Sequence, residues 1–276
     1  MGSGYPPHRV RELLVRAARE VHGVVRASLA GGGWVPLGRG AGGDVTLAVD
    51  RDAEEAVLRV CRDSGMGFTI LFEEAGLVDV NGGGMYLVVD ALDGSRNAVR
   101  RIGSYCTSLA ASPTPRFEDV SVGVVLEHTS GRMFHAVRGG GAFEGEEALR
   151  IVKHSSLGEA IIGVDFCGVG EDDVARLAPL VARAKGVRHL GANAFEISLV
   201  AAGGLDAHVD IRGRIRAVDI AAACIIVQEA GGVVTDHRGH PITGGLDVHS
   251  RFTVIAASGP ALHAEIMGAL GSRGWR

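Results

Sequence analysis

Helical and strand-like patterns take turns through the second half of this chain, and that alternation narrows its fold more than any other feature. Helical spacing at about 171–185, 193–202, 219–230 and 260–270 is interleaved with strand-like runs near 161–165, 206–211, 232–236 and 252–257. Units of this kind stack helices against a sheet, so a layered α/β arrangement is expected. The first half is mixed. Val10, Leu13, Leu14, Ala17, Ala18 and Val21 repeat at the spacing of an amphipathic helix, and a second helix is expected from Arg51 to Asp63. Between them, residues 44–50 read as a short extended segment ending in a carboxylate. Residues 67–72 and 85–89 have strand character, and runs at 119–127 and 133–138 flank Thr129-Ser130-Gly131 as a hairpin. No repeat or low-complexity linker separates the halves. With 276 residues, one large domain or two joined ones fit. The expected division is 1–148, an α+β part, and 149–276, an α/β part.

Composition removes several classes of function. Aromatic residues make up only 5% of a chain that is 46% apolar, so the core must be built from Val, Leu, Ile and Ala. A net charge of −4 provides no basic face for nucleic acid, but it leaves room for an acidic pocket that needs a metal. Four well-separated cysteines without a C-x-x-C pair suit a reduced, intracellular protein. Residues 1–10 hold no apolar run of signal-peptide length, and the apolar stretch 221–227 is too short to span a bilayer. A cytoplasmic protein is expected, with no membrane partner. The glycine triplets at 31–33, 82–84 and 139–141 lack the strand-to-helix setting of a dinucleotide fingerprint and read as turns.

The chemistry is concentrated in acidic residues at the ends of apolar segments. Met85 to Val89 runs directly into Asp90, then Leu92, Asp93, Gly94 and Ser95. A turn there can aim both aspartates and the Leu92 carbonyl at one point, the oxygen-only donor set that a hard cation such as magnesium prefers. Gly94 and Ser95 can open a short helix whose free N–H groups suit a phosphate. Taken alone, the same pattern also describes a solvated surface turn. Glu73 and Glu74 follow the apolar run 68–72, whereas Glu54-Glu55 and Glu146-Glu147 read as helix-surface pairs. Asp219 precedes the apolar stretch 221–230, at a helix start where capping alone accounts for an aspartate. Arg212, Arg214 and Arg216 alternate along a strand-like run, which suits either phosphate contacts or a solvated edge. The histidines show no H-x-x-x-H or H-x-H spacing, and His189 and His208 read as structural.

Taken in order, Glu73-Glu74, then Asp90-x-Leu92-Asp93-Gly94-Ser95-x-Asn97, then Val218-Asp219-Ile220-Ala221-Ala222-Ala223 and Glu229-Ala230-Gly231-Gly232 resemble the inositol monophosphatase family. Gly139 to Phe143 and Ala201 to Asp206 match further family segments, so the resemblance covers roughly the whole chain. Asp210-Ile211-Arg212 with Arg216 is most similar to the archaeal-type members that act on both inositol monophosphate and fructose 1,6-bisphosphate. The resemblance implies a layered αβαβα sandwich of the inositol monophosphatase/fructose-1,6-bisphosphatase type and a magnesium-dependent phosphate monoester hydrolase using metal-activated water. Two or three Mg2+ ions are implied, with Mn2+ as a substitute. Glu73, Asp90, Asp93 and the Leu92 carbonyl would hold the first; Asp90, Asp93 and Asp219 would hold a second; Glu73 reaches towards a third. Asp50 would orient the hydroxyl of Ser95, which stands where the family usually has Thr, with Glu73 also in the catalytic set. Gly94, Ser95, Asn193, Arg212 and Arg216 would meet a small phosphorylated polyol or sugar, in a homodimer.

Ala91, Ala98 and Ala223 depart from the usual Pro, Phe and Gly of the family, and none removes a metal ligand. Two rival readings remain: an adenosine 3′,5′-bisphosphate 3′-phosphatase on the same scaffold, and a non-catalytic metal- or ligand-binding relative.

Overall fold

The computed structural model describes residues 5–31, 35–41, 43, 45–152, 156–168 and 170–271. Elements are numbered in chain order. The first half contains α1 (Pro7–Gly31), a small hairpin of β1 (Pro36–Arg39) and β2 (Val45–Leu47), and α2 (Ala48–Asp63). These lead into β3 (Phe68–Phe72), β4 (Leu77–Val80), β5 (Met85–Asp93), the short α3 (Ser95–Arg100), β6 (Cys106–Ser112), β7 (Val122–Glu127), β8 (Met133–Val137), β9 (Gly141–Glu144) and β10 (Glu147–Ala148). Strands β3 to β10 form one eight-stranded sheet in the order β10-β9-β8-β7-β6-β5-β3-β4. All neighbours are antiparallel except β3 and β5.

The second half follows as β11 (Ile161–Val164), α4 (Glu171–Arg183), β12 (Gly186–Arg188), α5 (Asn193–Ala201), β13 (Ala207–Ile215), α6 (Ala217–Glu229), β14 (Val233–Thr235), β15 (Phe252–Ala257) and α7 (Pro260–Leu270). Its five strands lie in the order β12-β11-β13-β15-β14, with β11 parallel to both neighbours.

Side-chain alternation explains how these elements become five layers. On β5, Leu87 and Val89 join a core shared with Leu14 and Val21 of α1 and Val57 of α2, while Val88 faces a second core on the other side. That second core is filled by α5 and α6. Every residue of α6 from Ala217 to Val227 is buried, as an apolar helix without a polar face requires. On β13, Val209 and Ile211 point the opposite way, into a third core with Leu177 and Leu180 of α4 and Leu262 and Ile266 of α7. The result is helices, sheet, helices, sheet, helices: the expected αβαβα sandwich.

One segment departs from the sequence reading. Asp44 lies outside the described residues, and the extended stretch ends at Leu47. Helix α2 starts at Ala48, three residues before the expected Arg51, so Asp50 falls in its first turn rather than at a strand end. There the Asp50 carboxylate accepts the Leu47 N–H at 2.8 Å, tying off a backbone donor that the helix cannot satisfy.

Candidate active-site cleft

Strands β3, β5, β11, β12 and β13 all deliver their carboxyl ends to one cleft of about 760 Å3. Crevices outside strand carboxyl ends are where layered α/β folds bind ligands. Asp50, Glu73, Asp90, Leu92, Asp93, Gly94, Ser95, Asn193, Arg212, Arg216 and Asp219 all line it. Every site residue expected from the sequence therefore reaches the same space.

Asp90 and Asp93 share a strand three residues apart, which in a regular ladder would send them to opposite faces. The pairing with β6 shifts between Asp90↔Ser108 and Asp93↔Cys106, so three steps on β5 oppose two on β6. This one-residue bulge resets the alternation and brings both carboxylates to the cleft side. The Leu92 N–H donates to Asp90 Oδ1 at 3.0 Å, and the Ala194 N–H at the start of α5 donates to Asp93 Oδ2 at 2.8 Å. Gly94 then turns the chain into α3 with φ +82°, and a Cβ there would lie 3.0 Å from the Ser104 carbonyl oxygen and 3.1 Å from Ala192 Cβ.

Glu73 follows β3, and Asp219 stands in the first turn of α6, where it accepts the Arg216 N–H at 2.7 Å. Asp219 does cap its helix, and it does so while lining the cleft. One carboxylate oxygen from each of Glu73, Asp90 and Asp219 lies within 4.8 Å of the others. The Arg216 guanidinium reaches Glu73 at 2.6 Å and Asp219 at 3.2 Å. Glu73 is pushed up to about 7, chiefly by burial and then by the charges of Asp219 and Glu74, against the pull of Arg216. Asp90 and Asp93 are held well above the usual carboxylate range, first by burial and then by their acidic neighbours. Arg216 is raised because Asp219, Glu73 and Asp90 outweigh the burial that opposes its charge. A buried all-oxygen cluster with one guanidinium among four acids fits a hard divalent cation.

Asp50 is pushed up to about 6, mainly by burial. Its carboxylate is engaged by the Leu47 N–H, and no hydrogen bond joins it to the Ser95 hydroxyl among the described residues. Arg212 is committed to the cleft wall: its guanidinium meets Asp210 at 2.7 and 3.0 Å, Asp165 at 2.6 Å and the Cys167 carbonyl at 3.2 Å. Asn193 opens α5 beside Gly191, in a loop whose Leu190 and Gly191 N–H groups both donate to Glu196 at 2.9 Å.

Three sequence readings need correction. Glu146-Glu147 is not on a helix: Glu146 lies in the turn before β10, and Glu147 opens that strand. Glu54 is not on a helix surface: it is buried, lines the cleft, and accepts the N–H groups of Glu74 at 2.8 Å and Ala75 at 3.2 Å. Its neighbour Glu55 is the exposed one, paired with Arg62. His189 is not structural in the sense of His208. His208 is fully buried 3.7 Å from Glu196, whereas His189 faces the cleft beside Asp165 and Cys167. No motif or spacing in the sequence singles out that trio.

Residues 7–273 match the Inositol monophosphatase family. The chain is 37% identical over 238 residues to a fructose-1,6-bisphosphatase/inositol-1-monophosphatase of Methanothermobacter thermautotrophicus, covering 83% of this chain and 84% of that one. A protein of the same description from Thermococcus kodakarensis is 34% identical over 234 residues, covering 85% and 86%. The fold is similar to that of the extragenic suppressor protein suhB from Bartonella henselae, with a TM-score of 0.82 at 24% identity, over 96% of this chain and 100% of that one. With a matched span this long and a bulged acidic strand at its centre, the chain belongs to the inositol monophosphatase family.

Proposed function

We propose that this protein is a magnesium-dependent phosphatase that hydrolyses phosphate monoesters of small polyols or sugars, inositol monophosphate and fructose 1,6-bisphosphate among them. The observation that carries this reading is the convergence of Glu73, Asp90 and Asp219 from distant parts of the chain, with Asp93 beside them. Glu73, Asp90, Asp93, Asp219 and the Leu92 carbonyl would hold two or three Mg2+ ions, with Mn2+ able to replace them. Bound there, the cations supply positive charge and Lewis acidity towards a phosphoryl group.

The chain's own groups supply the remainder. Asp50, raised to about 6, is placed to take a proton from an attacking water, and Glu73 lines the same cleft. The Ser95 hydroxyl helps orient that water. The Gly94 and Ser95 N–H groups, at the entry to α3, offer donors to the phosphate. Asn193 and Arg216 contact the remainder of the substrate, and Arg212 stiffens the wall through Asp210 and Asp165. A homodimer in the cytoplasm belongs to the same reading; among the described residues, no helix is long and apolar enough to cross a membrane.

The test is phosphate release from inositol 1-phosphate, fructose 1,6-bisphosphate and adenosine 3′,5′-bisphosphate across a magnesium titration. Turnover of one of the first two, dependent on the cation, is expected. Preference for the adenosine bisphosphate would move the assignment to a nucleotide 3′-phosphatase, and no release at all would favour a non-catalytic relative. Asp93→Asn should lower turnover by about 100-fold or more at saturating magnesium. Near-normal turnover in that variant would remove Asp93 from the ligand set.

A further inference from the structure

The cleft wall carries a second group of donor atoms with different chemistry from the carboxylate cluster. Strands β11 and β12 are parallel neighbours with Gly163 opposite Arg188, so the residues that follow them emerge side by side. Asp165 and Cys167 follow β11, and His189 follows β12. One donor atom from each lies within 4.8 Å of the others. Cys167 Sγ is 3.1 Å from His189 Nε2, and His189 Nδ1 is 4.0 Å from Asp165 Oδ1.

The trio is braced from behind. The Asp165 N–H donates to the Val209 carbonyl at 3.0 Å, and the Cys167 N–H donates to Asp165 Oδ1 at 3.1 Å. Arg212 occupies Asp165 Oδ2 at 2.6 Å, and the His189 ring rests against Phe166 with centroids 5.2 Å apart. Cys167 is exposed, whereas Cys61, Cys106 and Cys224 are buried. The thiol is therefore reachable from solution.

We infer that Asp165, Cys167 and His189 form a binding site for a borderline-soft divalent cation such as Zn2+, separate from the all-oxygen cluster of Glu73, Asp90 and Asp219. Thiolate and imidazole donors select zinc over magnesium, whereas carboxylates alone do not. A cation bound here would displace the thiol proton of Cys167 into solution. Three protein donors leave one position of a tetrahedral shell, and all three side chains line the cleft, so the fourth ligand comes from the cleft itself.

The test uses the full chain at saturating magnesium, with Co2+ and Zn2+ as probes. A sulfur-to-cobalt charge-transfer band should grow and saturate at a single equivalent, because carboxylates give no such band. It should vanish in Cys167→Ser, and His189→Ala should bind cobalt about 10-fold or more weakly. After equilibrium dialysis against Zn2+, Cys167→Ser should retain a single equivalent less than the unaltered protein. Circular dichroism on both variants separates loss of the site from loss of the fold. No charge-transfer band in the folded protein, or equal zinc content with and without the thiol, would overturn the inference and leave Cys167 and His189 as a hydrogen-bonded pair.

Discussion

Glu54 lies on α2 beneath the segment that carries Glu73 and Glu74, and its carboxyl titrates far from where an exposed glutamate would. Burial pushes it up from 4.5 to about 7, against the N–H groups of Glu74 and Ala75 that stabilise its charge. Between those two values the folded state binds more protons than the unfolded chain. The stability Glu54 contributes is therefore fully present below about pH 4.5 and is lost as pH rises through about 7. The urea midpoint of the metal-free protein should fall over that window, and Glu54→Gln should flatten the fall. The difference should reach at most about 3 kcal/mol. A variant with the original slope would dissociate Glu54 from the effect. Arg216 carries the opposite burden, as the guanidinium set between Glu73 and Asp219. Arg216→Ala should destabilise the metal-free protein by about 3 kcal/mol, because it strands buried carboxylates without a partner. Denaturant curves with chelator and with magnesium should differ more in this variant than in the parent, since the cation takes over the missing charge.

At the scale of the elements, β7 and α6 approach each other backbone to backbone at Gly123. A Cβ on Gly123 would lie 2.4 Å from the Ala222 carbonyl oxygen and 2.5 Å from Ile225 Cγ2. Backbone cannot yield there without moving the helix that carries Asp219. Gly123→Ala should cost about 2–3 kcal/mol, read as a lowered thermal midpoint, while its metal ligands remain unaltered. Gly94→Ala faces both a left-handed φ and contacts with Ser104 and Ala192. It should cost about 1–3 kcal/mol and lower turnover as well, because the same turn sets Asp93 and Ser95. These elements also show what the sequence could and could not reveal. Asp90, Asp93, Glu73 and Asp219 were legible because each ends or begins an apolar segment whose direction fixes where the acid goes. The bulge on β5 was not, since it exists only in the pairing with β6. Strand β12 is three residues long and half exposed, too short to carry a pattern, so nothing local announced that His189 would meet Cys167. Glu54 was misread for a related reason. A Glu-Glu pair on an amphipathic helix looks solvated until the loop after β3 folds back over it.

Across the whole molecule, the acids that meet in the cleft belong to both sheets' sides of the sandwich: Glu73, Asp90 and Asp93 on the eight-stranded sheet, Asp219 on the helix layer between the two. Without a cation this convergence opposes folding, because burial and mutual repulsion both penalise the charged form. With one bound as proposed, the same residues would clamp the layers together. A ligand that binds only the folded state at about 100 times its Kd adds about 2.7 kcal/mol of stability. For a chain of 276 residues that corresponds to a rise in Tm of about 5 °C. Magnesium should therefore raise Tm and a chelator should lower it. Asp90→Asn separates this linkage from a general salt effect. It removes the cost of burying that carboxyl among other acids, so at neutral pH the metal-free variant should melt above the metal-free parent. It also removes a proposed ligand, so magnesium should raise its Tm little or not at all, and the order of the two proteins should reverse when the cation is present. Two melting curves that keep their order at every magnesium concentration would mean that Asp90 neither repels its neighbours nor binds the ion.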